Sequence, residues 1–387
     1  MHLPWLNITL AASPQPVFTS PAIESFKALV NRLSDPMISL PILTLLFVVM
    51  LVSYRWWTRP LVAAGLLGAF CFVYFGSILI DPNYGLIIRK PDNVPITMML
   101  LGVGFCLWMA FRGAALNDAA LSQGRPMPVE DKDDKTLVWP DLVYTEMICL
   151  VLASAILVLW AVLLAAPLES PANPGGPPNP SKAPWYFLGL QELLVYFDPW
   201  MAGVLLPGLI VVGLIAMPYI DVNPRGNGYY TLRQRPFAIA SWLFGFLILW
   251  VVLIVYGTFL RGPNWYFFGP YQYWDAHLSL PGTNINLSDY FWNGKKLLGF
   301  GLDHGLPGNM IVRELPGLIF VAFWLVALPV ILARTVFRSM YQQMGLIRYA
   351  IMIMMLLIMA MVPLKMVLRW TLNLKYFIYL QEVNLNL

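Results

Sequence analysis

Glu192 is the residue of this chain best placed for proton chemistry. It lies in KAPWYFLGLQELLVYFDPWMAGVLLPGLIV, residues 182–211, after Pro184, Trp185, Tyr186 and Phe187. Burying an ionised group costs several kcal/mol unless it is paired, so a carboxylate beside aromatic rings at the mouth of an apolar run points to function. Glu192 follows Trp185 by seven residues, about two helical turns, so a helix puts both on one face. A general base must reach the proton it takes, directly or through one water. A surface carboxylate at a helix–water boundary is the plainer alternative for Glu192, and interfacial anchoring is the plainer one for Trp185 and Tyr186. Asp198 and Glu169 are further acids at loop edges. Glu146, near one end of its own apolar run, reads as a structural carboxylate paired with a partner.

These residues sit in a chain whose solvent must be lipid. Of 387 residues, 59% are hydrophobic and 11% charged, against about 25% charged in a soluble domain. Mean hydropathy is +0.68. A globular core could not hide that much apolar surface, so the fold class is an all-α polytopic membrane protein. No basic face with interleaved aromatics suggests a nucleic-acid partner. Cys71, Cys106 and Cys149 stand alone in apolar runs and read as small buried hydrophobes. Without a CxxC or CxxCH, neither a zinc site, an iron–sulfur cluster nor a conventional c-type haem is encoded. His2, His277 and His304 all lie outside the apolar runs, so a bis-histidine haem in the membrane needs a partner chain.

Apolar runs long enough to cross a bilayer give about eight transmembrane helices, at 38–56, 60–80, 94–111, 142–166, 201–220, 237–260, 315–333 and 346–368. Residues 20–33 have amphipathic helical periodicity and read as a helix on the membrane surface or against a partner. The polar stretch GRPMPVEDKDDK divides the chain. The resulting organisation is an N-terminal segment (1–36), a three-helix accessory module (37–112), a linker (113–139), a second three-helix module (140–260), an aromatic-rich loop (261–314) and two last spans with a tail (315–387). In the loop, RGPNWYFFGPYQYWDAH suits an interfacial belt and a docking face, with a direct role in a cofactor site as the alternative. Short arginine-rich linkers at 55–59, 221–236 and 334–348 place both termini on the extracytoplasmic side of a membrane, in the bacterial case the cytoplasmic one.

From Asp141 the second module resembles a known family. The series PDLVYTEMICLVLASAILVLWAVLLAAPLESPANP, a proline-rich turn, PWYF, a helix ending in MPYIDVNP, and Arg235-Pro236 opening a third helix is similar in content and order to the C-terminal half of cytochrome b in cytochrome bc complexes, which is the separate subunit IV of the chloroplast-type complex. The resemblance covers about residues 140–260. It implies one wall of a quinol-oxidation pocket on the positive side of the membrane. There a quinol yields one electron to a Rieske iron–sulfur protein and one to b-type haems, and releases its protons outward. The family's Pro-Glu-Trp-Tyr motif corresponds here to Ala183-Pro184-Trp185-Tyr186, with proline in the glutamate's slot, and Glu192 is the nearest replacement.

The expectation is therefore a non-autonomous oxidoreductase subunit. It lines a quinol site with Pro184, Trp185, Tyr186, Phe187 and Glu192 and ligates no haem or metal itself. Its partners are a di-haem cytochrome b-type subunit, the Rieske protein and a c-type cytochrome. A structural scaffold without a working quinol site, and a transporter, are the alternatives. A transporter would show internal repeats or charges lining a path, and neither stands out.

Overall fold

The computed structural model describes residues 20–128, 136–163, 171, 174–176, 178–225, 231–274, 284–299, 301–380, 382 and 385–387. Among them the chain is helical almost throughout. Helix α1 is Pro21–Leu33, α2 Pro36–Val52, α3 Pro60–Ile80, α4 Asn93–Ser122, α5 Val138–Leu163, α6 Leu188–Leu193, α7 Met201–Ile220, α8 Pro236–Leu260, α9 Leu315–Arg334 and α10 Arg338–Leu372. Seven of these are long and apolar enough to cross a membrane, or up to eight when α1 and α2, bent by 80° at their junction, are counted as one span. The all-α polytopic architecture stands.

Local chemistry explains several helix starts. Ser20 accepts from the Ile23 amide at 3.3 Å and Pro21 fills the first turn of α1. Asp35 accepts from the Met37 amide at 2.9 Å and Pro36 opens α2. Both pairings satisfy an orphan N–H and pre-set the backbone. Lys27 of α1 faces the protein, pairing with Asp81 at 3.0 Å, while Phe26, Leu29 and Leu33 stay exposed. That is the arrangement of an amphipathic helix with its apolar side turned away from the bundle.

Two boundaries differ from the sequence reading. Helix α4 does not stop at 111 but runs to Ser122, taking in the first ten residues of the expected linker. Its extension is held by Asp118, only 1% exposed, which accepts from the Tyr54 hydroxyl at 2.8 Å and the backbone amides of Leu232 and Arg233 at 3.1 and 3.3 Å. Helix α10 starts at Arg338, ahead of the expected 346, and kinks at Gly345, where φ is 72°. That left-handed backbone is open to glycine at little cost. The three cysteines also differ: Cys71 is half-buried, whereas Cys106 and Cys149 are exposed on their spans.

One apolar core crosses the expected module boundaries. It joins Leu40 and Phe47 of α2, Phe111 of α4, Leu193 of α6, Leu253 of α8 and Met366 of α10. The tail folds back over one end of this core, with strands β1 (Tyr379–Leu380) and β2 (Leu385–Asn386) paired antiparallel. Helix α5 is the exception, because none of its residues is buried.

Candidate functional site

The stretch around Glu192 is built where α6 crosses the last turns of α8. A Cβ on Gly257 would lie 3.2 Å from the Leu188 carbonyl oxygen, and one on Gly189 would lie 3.3 Å from Ile254. Side-chain-free backbone on both helices is what permits this approach. It brings the second turn of α6 beside Arg261, the first residue past α8.

Pro184 leads into a tight turn over Trp185–Phe187, closed by the Phe187 amide donating to the Pro184 carbonyl at 2.9 Å. Gln191 clamps the preceding segment. Its Oε1 accepts from the Ala183 amide and its Nε2 donates to the Ser181 carbonyl, both at 2.8 Å. Trp185 and Trp265 both pack on the buried trio Ile96, Leu188 and Ile254. Tyr186 and Phe187 point outward, 52% and 49% exposed.

Glu192 is fully buried. Its carboxylate receives the Arg261 guanidinium in a fork, Nε to Oε2 at 2.9 Å and Nη2 to Oε1 at 2.5 Å. The Tyr196 hydroxyl donates to Oε1 at 2.8 Å and the Trp265 indole to Oε2 at 3.0 Å. Four donors fill the roughly four acceptor positions of a carboxylate. Arg261, 5% exposed, also donates to the Trp265 carbonyl and lies over the Phe267 ring at 3.5 Å. Burial opposes the Arg261 charge, but Glu192 and Tyr196 outweigh it and hold the guanidinium above its ordinary range. Burial and the Glu192 charge push the Tyr196 phenol well up, so it remains a donor. A buried pair survives only with such complete hydrogen bonding.

Lys182 brings a second titratable group to the same place. Its ammonium donates to the Thr258 carbonyl at 2.8 Å, one of the last carbonyls of α8. Burial, with repulsion from Lys90 and Arg261, pulls Lys182 down to about 7 despite attraction from Glu192. The neighbouring Thr258 hydroxyl is buried without a hydrogen-bond partner.

Residues 184–187 and 192 thus come together near one end of α8, with Trp185 seated on the apolar trio, Tyr186 and Phe187 turned outward and Glu192 in its polar shell. Sequence reading missed Arg261, Tyr196, Trp265 and the polar role of Lys182. Tyr196 follows Glu192 by one helical turn and was open to discovery by spacing. Arg261 is 69 positions away, and at the end of a span it reads as an ordinary interfacial anchor. Trp265, one of the loop aromatics, hydrogen-bonds the carboxylate, while Tyr273 is 72% exposed.

Asp198 accepts from the Tyr376 hydroxyl at 3.1 Å and the Asn386 amide at 3.3 Å, tying down the tail. Glu146 is exposed on α5. Glu169 and most of APLESPANP lie outside the described residues. Among the described residues, no three His, Cys, Asp or Glu side chains gather as a metal site. No protein-family model matches this chain, and no solved structure matches it.

Proposed function

We propose that the chain is a membrane subunit of a cytochrome bc-type quinol:cytochrome c oxidoreductase, contributing one wall of the quinol-oxidation pocket. Pro184, Trp185, Tyr186 and Phe187 line that wall, and Glu192 serves its proton chemistry. The observation that carries this reading is an aromatic turn, half open to its surroundings, that leads straight into the short helix bearing a buried carboxylate beside the end of a spanning helix. Its segments follow in the same order as those of the cytochrome b C-terminal half.

Helix α5 supports a shared rather than autonomous site. A spanning helix with no buried residue leaves an entire surface for other subunits. In this reading those are a di-haem cytochrome b-type protein, a Rieske protein and a c-type cytochrome, in a bacterial cytoplasmic membrane with the site on the positive side. The quinol is the shared substrate and the haems belong to the partners.

The saturated environment of Glu192 favours a second reading, a scaffold in which the carboxylate only locks α6 to α8. Proton uptake by Glu192 requires one of its four donors to give way. Quinol-dependent cytochrome c reduction by the purified complex separates the two. Glu192→Gln should slow turnover and alter its pH profile if Glu192 handles protons. Turnover unchanged across pH, in a variant that still assembles, leaves the scaffold.

A further inference from the structure

A large cavity opens toward the other end of α8. It occupies about 1380 Å³ between α7, α8 and α10. Its bed is apolar and soft, including Gly213 and Met217 of α7, Trp242 and Gly245 of α8, and Met355 and Met359 of α10. A Cβ on Gly213 would meet the Met355 sulfur at 3.5 Å, and one on Gly245 would meet the Met359 sulfur at 3.4 Å. Flexible thioethers over side-chain-free backbone make a wall that adapts to its occupant.

The mouth is chemically different from the bed. It lies between the ends of α7 and α8, at a membrane boundary. The ionisable residues lining the cavity are Arg225, Arg233, Arg235 and Asp221, three cations against one carboxylate. Asp221 is taken by Arg235, whose second contact is the Asn223 carbonyl at 3.2 Å. Among the described residues, Arg235 Nε is buried without a partner. Arg225 and Arg233 are exposed, and among the described residues neither guanidinium is paired.

We propose that this groove is a binding site for an anionic phospholipid. Its phosphodiester sits against Arg225 and Arg233, and its acyl chains run along the bed between α7 and α10. Charge and shape select this occupant. Uncompensated positive charge is confined to the boundary plane and continues directly into an apolar trough, matching a lipid's single anionic head and long tails. Basic pockets between spanning helices take anionic head groups in this way. A neutral quinone leaves the arginines unanswered, and an apolar partner helix would have to cover them at a desolvation cost. The mouth of the groove lies at the opposite end of α8 from the proposed quinol wall, while its bed reaches Leu190 and Leu193 of α6.

Native mass spectrometry of the intact protein with its co-purifying partners tests the assignment. The probes are phosphatidylglycerol and the zwitterionic phosphatidylethanolamine with identical chains. Wild type should retain the anionic lipid preferentially. The R225Q/R233Q variant should bind it about 30-fold more weakly, at about 1 kcal/mol per arginine and 1.4 kcal/mol per tenfold. The charge-preserving R225K/R233K variant should keep the preference. Gly245→Leu, which fills the bed without touching the mouth, should weaken both lipids together. Equal retention of the two lipids by wild type would overturn the proposal. So would an undiminished preference in R225Q/R233Q, or recovery of a neutral quinone or a protein segment in the groove.

Discussion

The two ends of α8 use arginine in opposite ways. At the Leu260 end, Arg261 is 5% exposed and its charge finds its counterpart in Glu192, with Tyr196, Trp265 and Phe267 closing the shell. At the Pro236 end, Arg225 and Arg233 face outward over a large apolar trough without partners among the described residues. The first arrangement fixes two helices against each other, because a buried pair is stable only in one well-bonded geometry. The second commits nothing to the fold and leaves charge free for a ligand. Arginine content alone could not separate these roles. Burial and the presence of a carboxylate do.

The comparison is broken most severely by Arg261→Met. Removing one member of a buried pair strands the other, at about 3–5 kcal/mol. Reversible unfolding in detergent or bilayer, followed by denaturant titration, should show a loss of that size. Gly257→Val comes next. Its Cβ would start 3.2 Å from the Leu188 carbonyl oxygen, and a further branch forces α6 away from α8, at about 1–3 kcal/mol. Slower quinol turnover should accompany that loss, since the aromatic turn rides on α6.

Lys182→Met sharpens the same end through pH. Folding lowers Lys182 from its ordinary 10.5 to about 7. Between those values the unfolded chain holds a proton that the folded chain lacks, so Lys182 makes stability rise with pH from about 7 to 10.5. Below about 7 both states are protonated and the slope vanishes. The methionine variant should flatten the rise in midpoint stability measured across that window. Lys375, pulled down to about 8 chiefly by burial, leaves a residual slope of the same sign. A wild-type slope retained in full would show that Lys182 titrates as an ordinary surface amine. The smallest stability effect belongs to the open end: R225Q/R233Q should shift stability by no more than about 0.5 kcal/mol, as surface substitutions do, and change lipid retention instead.

How much of this was legible depends on the range of the interaction. Spans declared themselves through uninterrupted apolar runs, and α1 through its amphipathic periodicity. The aromatic turn was visible as a motif with an acid two turns on. Polar residues that look solvated misled most. Asn117 and Asp118 sit in a stretch that reads as linker, yet both are buried, and α4 runs eleven residues further than its apolar run extends. Local composition cannot report that the amides of Leu232 and Arg233 wait for Asp118 more than a hundred positions away. The Glu192 site followed the same rule. Its acid was found from spacing, while Arg261 and Trp265 arrive from the far side of two helices. The burial that makes such a pair matter becomes visible only when those helices are packed.

The role proposed for this chain is one wall of a quinol-oxidation site completed by haem-bearing partners. The most direct test is mild solubilisation from the native membrane, isolation through this chain, a reduced-minus-oxidised haem spectrum and an assay of quinol-dependent cytochrome c reduction. The account predicts b-type and c-type haem bands eluting with the chain, with activity that falls in Glu192→Gln. A homogeneous preparation free of haem and without quinol-dependent reduction would contradict it.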